Sequence, residues 1–579
     1  MMVEEPVGTP ADLLAHSRTG WFGLVLAAVA VALGMWGGAS TPSAEVDGYG
    51  IISALPAVYW LGVAVGALAT GVLLRLAIVE RTRYASVVPA LWLAVLHTGP
   101  HLAHDHFRYH TAWSHVGLIR LIEEQRTADA SIDGRLASPG FFGALVAPLA
   151  RMDDAVLELA VRLWPTAILG ATAILVSALA SRAFPTVPLI KPLSAVVYVL
   201  VAWTGQDHLS PESYGFTAYL AILVLLESGP LRISPAWSSA VPFLPRFASA
   251  GGDRPASRST PIFVVLLVLS LGAVVSHPLA PLFICLGLVI LGLYGRTVAW
   301  RLLILVAVSY VCWFAVGADS WWPGEIGRVD ELAAGLWPDT TSASPQHRFV
   351  TLVRSGVGFA MFAGVLAVGA AMAGERFRHL RPAVPIVPLA AVPAVVLALR
   401  SYGGGITSRA VLFALPMAAI LIGRILAGVR VRTLPLVLPA VALVLVPLLL
   451  VARFGHEAFE MTTEVDRAAV QAGYDRARDD TLFVVDSVHA PDRDRSVGRN
   501  HFAEVPAVAD QAYVDELERR AVELGATRII VVLTPGQSQW RVHGLGSRPD
   551  HLAEVARWLK ARPGATVLFE RDGGWTIEL

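Results

Sequence analysis

The sequence predicts a polytopic bundle of membrane helices followed by a small α/β domain. Hydrophobic residues make up 55% of the 579 residues and charged residues only 16%, which is outside the usual composition of soluble proteins. Long apolar runs fill the chain up to about position 451, and charged residues become frequent only beyond it. We therefore divide the chain into a transmembrane domain, residues 1–451, and a second domain, residues 452–579.

The first part contains about thirteen apolar runs, each close to the roughly 20 residues that a helix needs to cross a bilayer. The first run, from Trp21 to Trp36, follows acidic residues and is longer than the core of a usual signal peptide, so we interpret it as a span. The runs begin near positions 21, 51, 84, 155, 187, 214, 262, 278, 301, 354, 383, 410 and 434.

Short arginine-rich loops set the predicted orientation in the plasma membrane. With a cytoplasmic amino terminus, nearly all of these loops lie inside, as the positive-inside rule requires. The same count of spans places residues 452–579 outside the cell. The inner loops are then residues 80–83, 182–191, 228–260, 296–301, 376–381 and 424–432.

The second domain shows an alternation of strands and helices that is typical of an α/β fold. Apolar runs rich in β-branched residues predict four strands, and amphipathic periodicity predicts two helices. The strands are 482–486, 528–533, 565–569 and 575–579, and the helices are 510–524 and 549–561.

A polar stretch, residues 97–115, follows the third apolar run and contains six of the 16 histidines. Because ionisable side chains are costly in hydrocarbon, the stretch belongs at a membrane surface or in a wet cavity. Three interpretations stay open. His101, His104 and Asp105 could bind a divalent cation such as Mn²⁺ or Mg²⁺; His104 and His110 could contact a substrate or phosphate; or the stretch could be a hydrogen-bonded loop without a chemical role.

Two carboxylates, Glu45 and Asp47, precede the second span. A carboxylate that is partly desolvated at a membrane face can act as a general base. Gly48 and Gly50 beside it permit a close backbone approach. The alternative is a solvated turn.

Two further segments carry polar residues toward the same predicted face. Asp207, His208 and Glu212 interrupt an apolar region just before a span, where a plain interhelical turn is the alternative. Arg409 follows a glycine-rich segment at the start of another span, an arrangement that suits an anion such as phosphate. A glycine-rich hairpin is the alternative there.

Three segments together resemble prokaryotic multispanning glycosyltransferases of the GT-C superfamily. The resemblance implies a bundle of membrane helices, a polyprenyl-phosphate-linked sugar as donor, an acidic residue in the first outer loop, and an extracytoplasmic domain. The segments are Asp207-His-Leu-Ser-Pro-Glu212, Val275-Ser-His277-Pro-Leu-Ala-Pro281, and Tyr402-Gly-Gly404 with Arg409-Ala-Val-Leu-Phe-Ala-Leu-Pro416.

The implied activity is that of a cell-envelope hexosyl- or pentosyltransferase acting on a glycan, lipid or protein acceptor. The general base stays open between Glu45, Asp47 and Asp105, and we favour Asp47. The bilayer and the lipid-linked donor are the expected partners, and the net charge of zero gives no attraction to nucleic acid. The residues expected to contact substrate are His104, His110, Asp207, His208, Glu212, His277 and Arg409.

Two other classes compete with this interpretation. A transporter or lipid flippase would need polar groups or broken helices near the bilayer midplane, where these spans have few charges. A non-enzymatic membrane scaffold would leave the polar outer loops unexplained.

Overall fold

The structure of the protein, a computed structural model, describes residues 10–80, 83–226, 259–294, 297–318, 342–372, 386–394, 406–429, 432–495 and 497–579. The predicted inner loops 228–260 and 376–381 lie wholly or largely outside these ranges, as do the glycines of the Tyr402 segment. The predicted class of fold is confirmed, since apolar helices form a bundle and a small sheet follows them.

The protein is a multi-pass membrane protein. By length and composition, seven helices of the described ranges can cross a membrane, and five shorter apolar helices accompany them. The predicted span near position 84 is helical from Val87 to His101, with a π-helical turn at Ala94–Thr98, and its end runs into the polar stretch.

Eighteen helices precede the sheet in the described part of the chain. They are α1 (Pro10–Ala39), α2 (Ala57–Glu80), α3 (Val87–Leu93), α4 (Gly99–His101), α5 (His110–Gln125), α6 (Gly140–Leu149), α7 (Asp154–Ala183), α8 (Ile190–Val201), α9 (Pro211–Leu226), α10 (Ser259–Ser276), α11 (Ala280–Leu293), α12 (Thr297–Val316), α13 (Pro345–Met372), α14 (Ile386–Ala391), α15 (Ile406–Leu426), α16 (Leu434–Phe454), α17 (Glu457–Glu460) and α18 (Glu464–Arg476).

Helix α8 lies near the centre of the bundle. Its side chains are almost all buried, and it packs against α7 on one side and α15 on the other. A helix that is apolar on every face must be surrounded by other helices or lipid. The loop that follows α8 therefore emerges near the middle of the bundle, and this loop carries Asp207 and His208.

The carboxyl-terminal part contains a five-stranded sheet in the order β2-β1-β3-β5-β4. The first three strands in that order are parallel, and β5 and β4 are antiparallel. All four predicted strands and both predicted helices are present; an edge strand (β2) and helices α18 and α20 were not predicted. The elements are β1 (Thr481–Val485), β2 (His501–Glu504), α19 (Gln511–Leu524), β3 (Arg528–Leu533), α20 (Pro535–Leu545), α21 (His551–Lys560), β4 (Thr566–Arg571) and β5 (Gly574–Glu578).

This sheet domain packs on the polar stretch and α5. The Arg467 guanidinium lies 4.3 Å from the centre of the Trp113 ring, and Arg120 donates to a carboxylate oxygen of Asp154 and to the backbone carbonyl of Asp494. Gly117 has no room for a side chain, because the Arg493 carbonyl contacts it. The domain therefore covers the same end of the bundle as the polar loops.

Candidate active site

The polar loops meet at one end of the helices. The Ser43 hydroxyl in the first loop lies 3.4 Å from a carboxylate oxygen of Asp105, and the Tyr109 backbone N–H donates to the Glu460 carbonyl at 3.2 Å. Gly50, at φ +75°, lies against the backbone of Phe454, where no side chain would fit. Loops far apart in sequence thus gather around the end of α16 and helix α17.

Glu457 is the buried centre of this junction. Its side chain is fully buried, and its two carboxylate oxygens face His104 and Arg108. The Nε2 atom of His104 lies 2.9 Å from Oε2, and the Arg108 guanidinium contacts Oε1. A buried carboxylate needs such partners, because an unpaired charge away from water is strongly destabilising.

Arg108 extends the network to Glu460 and to the end of α16. It donates to Oε2 of Glu460 at 2.9 Å and to the Arg453 carbonyl at 2.5 Å. The next residue, Tyr109, has φ +66°, a conformation uncommon for residues other than glycine, and its ring stacks beneath the Arg108 guanidinium at 4.2 Å. The surrounding contacts therefore hold the loop in a strained conformation.

Arg453 and Asp207 form a second buried ion pair. Nη2 of Arg453 donates to both carboxylate oxygens, at 3.0 and 2.7 Å, and Nη1 donates to the Ala202 carbonyl at 3.2 Å. Both side chains are almost fully buried. The predicted acidic turn is thus tied to the last membrane helix.

The histidines of the junction are buried, and several of them form a hydrogen bond to a backbone carbonyl through one ring nitrogen. Nδ1 of His115 donates to Leu209 at 2.6 Å, and Nε2 of His110 donates to Phe459 at 3.0 Å. Burial lowers the pKa of His208 to about 4, although Asp207 opposes this shift. The His208 ring is therefore neutral at physiological pH.

Arg409 lies in the first turn of α15 and forms an ion pair with Glu212. Its Nε atom lies 3.0 Å from Oε1 of the Glu212 carboxylate. His277 lies in the predicted turn between α10 and α11, and its Nδ1 accepts hydrogen bonds from the N–H groups of Leu279 and Ala280, each at 3.1 Å. Burial, with the Arg409 charge, lowers the pKa of His277 to about 3, so the ring can act as this acceptor. These three predicted residues form a group of their own.

Asp47 is exposed in a tight turn. The Tyr49 N–H donates to its Oδ1 at 2.8 Å, and the Gly50 N–H donates to its carbonyl at 2.8 Å. The adjacent Gly48 lies against His543 at the end of α20; burial lowers the pKa of that histidine, and the nearby Asp47 carboxylate partly opposes the shift. Glu45 is also exposed, but among the described contacts its carboxylate forms no hydrogen bond with the turn.

Asp105 lines a cavity of about 370 Å³, with mixed polar and apolar walls, between the first loop and the sheet domain. Ser43, Glu464 and Gln539 line it as well. His106 beside it contacts Glu158 and lies 3.5 Å from Glu464. Asp105 therefore faces the first loop, whereas the partner of His104 is the buried Glu457.

The predicted metal ligands do not converge. The His101 and His104 rings are 5.9 Å apart, and Asp105 faces Ser43 instead. Within the described ranges, no group of three or more histidine, cysteine or acidic side chains is arranged to hold a metal ion. These residues do not fit a metal centre in this arrangement.

Sequence reasoning missed the three partners at the end of α16. Arg453, Glu457 and Glu460 come at or just after the end of the last apolar run, and three ionisable residues within eight positions of a membrane span were a usable signal. In the structure they belong to two helices, because α16 ends at Phe454 and α17 begins at Glu457. Their partners, however, lie more than 240 residues earlier in the chain.

An apolar cavity of about 290 Å³ lies between α8, α13 and α15. Its walls are almost entirely hydrocarbon and include Trp203, Met361, Gly364, Leu415 and Ala418. Leu415 is six residues beyond Arg409, or about 9 Å along the helix axis. One helix therefore presents a cation at its start and an apolar cavity wall further along.

Together, the bundle and the junction define a multi-pass membrane protein with a polar site at one end of its helices. No protein-family model matches the chain, and no curated protein matches it in sequence.

Among solved structures, the chain is similar to ArnT from Cupriavidus metallidurans bound to undecaprenyl phosphate, with 14% identity and a TM-score of 0.45 over 85% of this chain and 97% of that one. It is similar also to the apo oligosaccharyltransferase of Archaeoglobus fulgidus, with 12% identity and a TM-score of 0.45 over 81% and 72%.

Proposed function

We propose that the protein is a membrane glycosyltransferase that moves a sugar from a polyprenyl-phosphate-linked donor to an acceptor hydroxyl at the outer face of the membrane. The observation that carries the proposal is helix α15, which begins with Arg409 and then lines the apolar cavity. A lipid phosphate has the same order of parts, a charged head and then a long apolar tail.

In this proposal, Arg409 contacts the donor phosphate and the cavity takes the first part of the isoprenoid tail. Glu212 holds the Arg409 guanidinium in place through the 3.0 Å ion pair. An arginine can offer two parallel N–H donors to a phosphate, which fixes orientation as well as charge.

Asp47 is the proposed general base. The acceptor hydroxyl attacks the anomeric carbon and gives its proton to the carboxylate, while the bond from that carbon to the phosphate oxygen breaks and polyprenyl phosphate leaves. Asp47 is exposed at the end of the bundle where the loops gather, so an acceptor can reach it. Asp105 and Glu45 are the competing carboxylates of the same face.

The buried ion pairs have a positioning role in this scheme. His104, Glu457, Arg108 and Asp207 have too little exposure to touch an acceptor. They fix the loops that carry Asp105 and His106, and preorganised loops lower the cost of binding in a productive geometry.

Purified protein, labelled polyprenyl-phosphate sugars and a panel of hydroxyl acceptors test the activity directly. Two glycines of α13 give a matched pair for the donor site, since an added side chain meets open space at both. Gly364 lines the apolar cavity and Gly356 does not. Gly364→Phe is expected to weaken polyprenyl-phosphate binding. Gly356→Phe is expected to bind polyprenyl phosphate with unchanged affinity.

Equal binding by these two variants would remove the cavity from the proposal. If no sugar is transferred to any acceptor while polyprenyl phosphate still binds, a lipid transporter becomes the better description.

A further inference from the structure

A second groove runs along the outside of the bundle between α2 and α16. Its volume is about 950 Å³, and its walls include Ala64, Gly71, Pro435 and Leu443. It forms because small residues follow one face of α2 and meet α16 closely: a side chain at Gly71 would come within 2.8 Å of the Pro435 carbonyl.

Both arginines of this groove lie at the same end. Arg75 is on α2 one turn beyond Gly71, and Arg432 immediately precedes α16. Both side chains are exposed, and within the described ranges neither forms an ion pair with a carboxylate. Two cations that have no carboxylate partner among the described residues, at the end of an apolar groove, favour an anionic ligand that has an apolar tail.

The groove lies far from the candidate active site. Helix α2 begins and α16 ends at the junction, whereas Arg75 and Arg432 are near the opposite ends of those helices. Eleven residues separate Ala64 from Arg75, and eleven separate Leu443 from Arg432, which is about 16 Å of helix in each case. That length matches one leaflet, about half of the roughly 30 Å hydrocarbon core.

We infer that this groove binds an anionic phospholipid of the leaflet opposite the active site, with the phosphate between Arg75 and Arg432 and an acyl chain along the α2–α16 groove. Arginine suits this role because its guanidinium can make two hydrogen bonds to one phosphate. A zwitterionic lipid gains less, because its own ammonium group offsets the phosphate charge. The inference does not depend on the proposed sugar transfer.

Lipid retention by the full-length protein tests the inference. The protein is reconstituted with equal amounts of phosphatidylglycerol and phosphatidylcholine, re-extracted, and analysed by native mass spectrometry. We expect phosphatidylglycerol to be enriched on the order of tenfold in the bound lipid, since each arginine near the surface contributes to this preference. The double variant Arg75→Gln/Arg432→Gln should lose the enrichment.

Two controls separate the groove from general charge and from general disruption. Arg182→Gln/Arg301→Gln removes the same charge at other helix ends and should keep the enrichment. Ala64→Trp fills the apolar end of the groove and should reduce retention of both lipids, whereas Leu61→Trp, on an exposed part of the same helix, should not. Equal retention of the two lipids by the wild type, or unchanged enrichment in the Arg75/Arg432 variant, would overturn the inference.

Discussion

The Asp207 carboxylate accepts two hydrogen bonds from one guanidinium nitrogen of Arg453, at 3.0 and 2.7 Å, although 246 residues separate the pair. The bond joins the loop after the central helix α8 to the end of the last membrane helix. It is buried, so its loss cannot be compensated by water.

Arg453→Met is therefore expected to destabilise the protein by about 3–5 kcal/mol, because the Asp207 charge stays buried without a partner. Thermal unfolding in detergent measures this. Arg151→Met, which breaks an exposed pair with Glu123, should cost less than about 1 kcal/mol. The double variant Arg453→Met/Asp207→Leu should recover much of the loss; a double variant as unstable as the single one would show that the pair's charge is not the cause.

Asp47→Asn should lower turnover by roughly 10²–10⁴-fold with little change in donor binding, because the amide keeps the size of the side chain and removes its basicity. Turnover and donor affinity are measured separately. Glu45→Gln and Asp105→Asn are the matched controls. Normal turnover in Asp47→Asn, with loss in either control, would move the base to that residue.

Arg409→Lys should weaken donor binding even though the charge is kept, because lysine cannot make the bidentate contact. Binding of polyprenyl phosphate without its sugar isolates the phosphate contact. Glu212→Gln should have a smaller effect in the same direction, since it only loosens the guanidinium. Unchanged affinity in Arg409→Lys would exclude the assigned contact.

The sheet domain should lose stability as the pH rises through about 6. Burial, together with the Glu504 charge and against the opposing Arg493, raises the pKa of Asp492 from 3.8 to about 6. Because the folded state holds this proton more tightly than the unfolded chain, the stabilisation is full below about pH 4 and lost as the pH passes 6. The change is at most about 3 kcal/mol. Asp492→Asn should flatten this part of the dependence of unfolding free energy on pH. If the dependence is unchanged in this variant, a group other than Asp492 is responsible for it.

The orientation of the chain in the membrane is tested by cysteine labelling in a background that lacks Cys285 and Cys312. Arg520→Cys, in the sheet domain, should react with a membrane-impermeant reagent on intact cells, and Ala240→Cys should not. The reason is the arginine content of the predicted inner loops. The reverse labelling pattern would invert the topology.

Local features of the fold could be predicted from the sequence, but distant pairings could not. Strand β3, Arg528–Leu533, was predicted because a run of β-branched residues is buried on both faces of the sheet. Strand β2, His501–Glu504, was missed because this short, partly buried edge strand has mixed polarity and no clear period.

The same limit applies to the site. The acidic turn at Asp207 and the polar stretch at His104 were recognised as unusual near membrane spans. Nothing in the local spacing of residues, however, indicates that Arg453 pairs with Asp207 or that Glu457 faces His104. Those pairings depend on how α8 and α16 pack against each other. The spacing of apolar residues predicts each helix but not which helices are neighbours.

The network around Glu457 also constrains how the protein is made. Arg108 is translated 352 residues before Glu460, its hydrogen-bonding partner, an interval of roughly half a minute at typical rates of synthesis. During that time the Arg108 guanidinium has been made, but its counter-charges Glu457 and Glu460 do not yet exist. Assembly of this end of the bundle is therefore completed only after the last membrane helix and the segment that follows it have been synthesised.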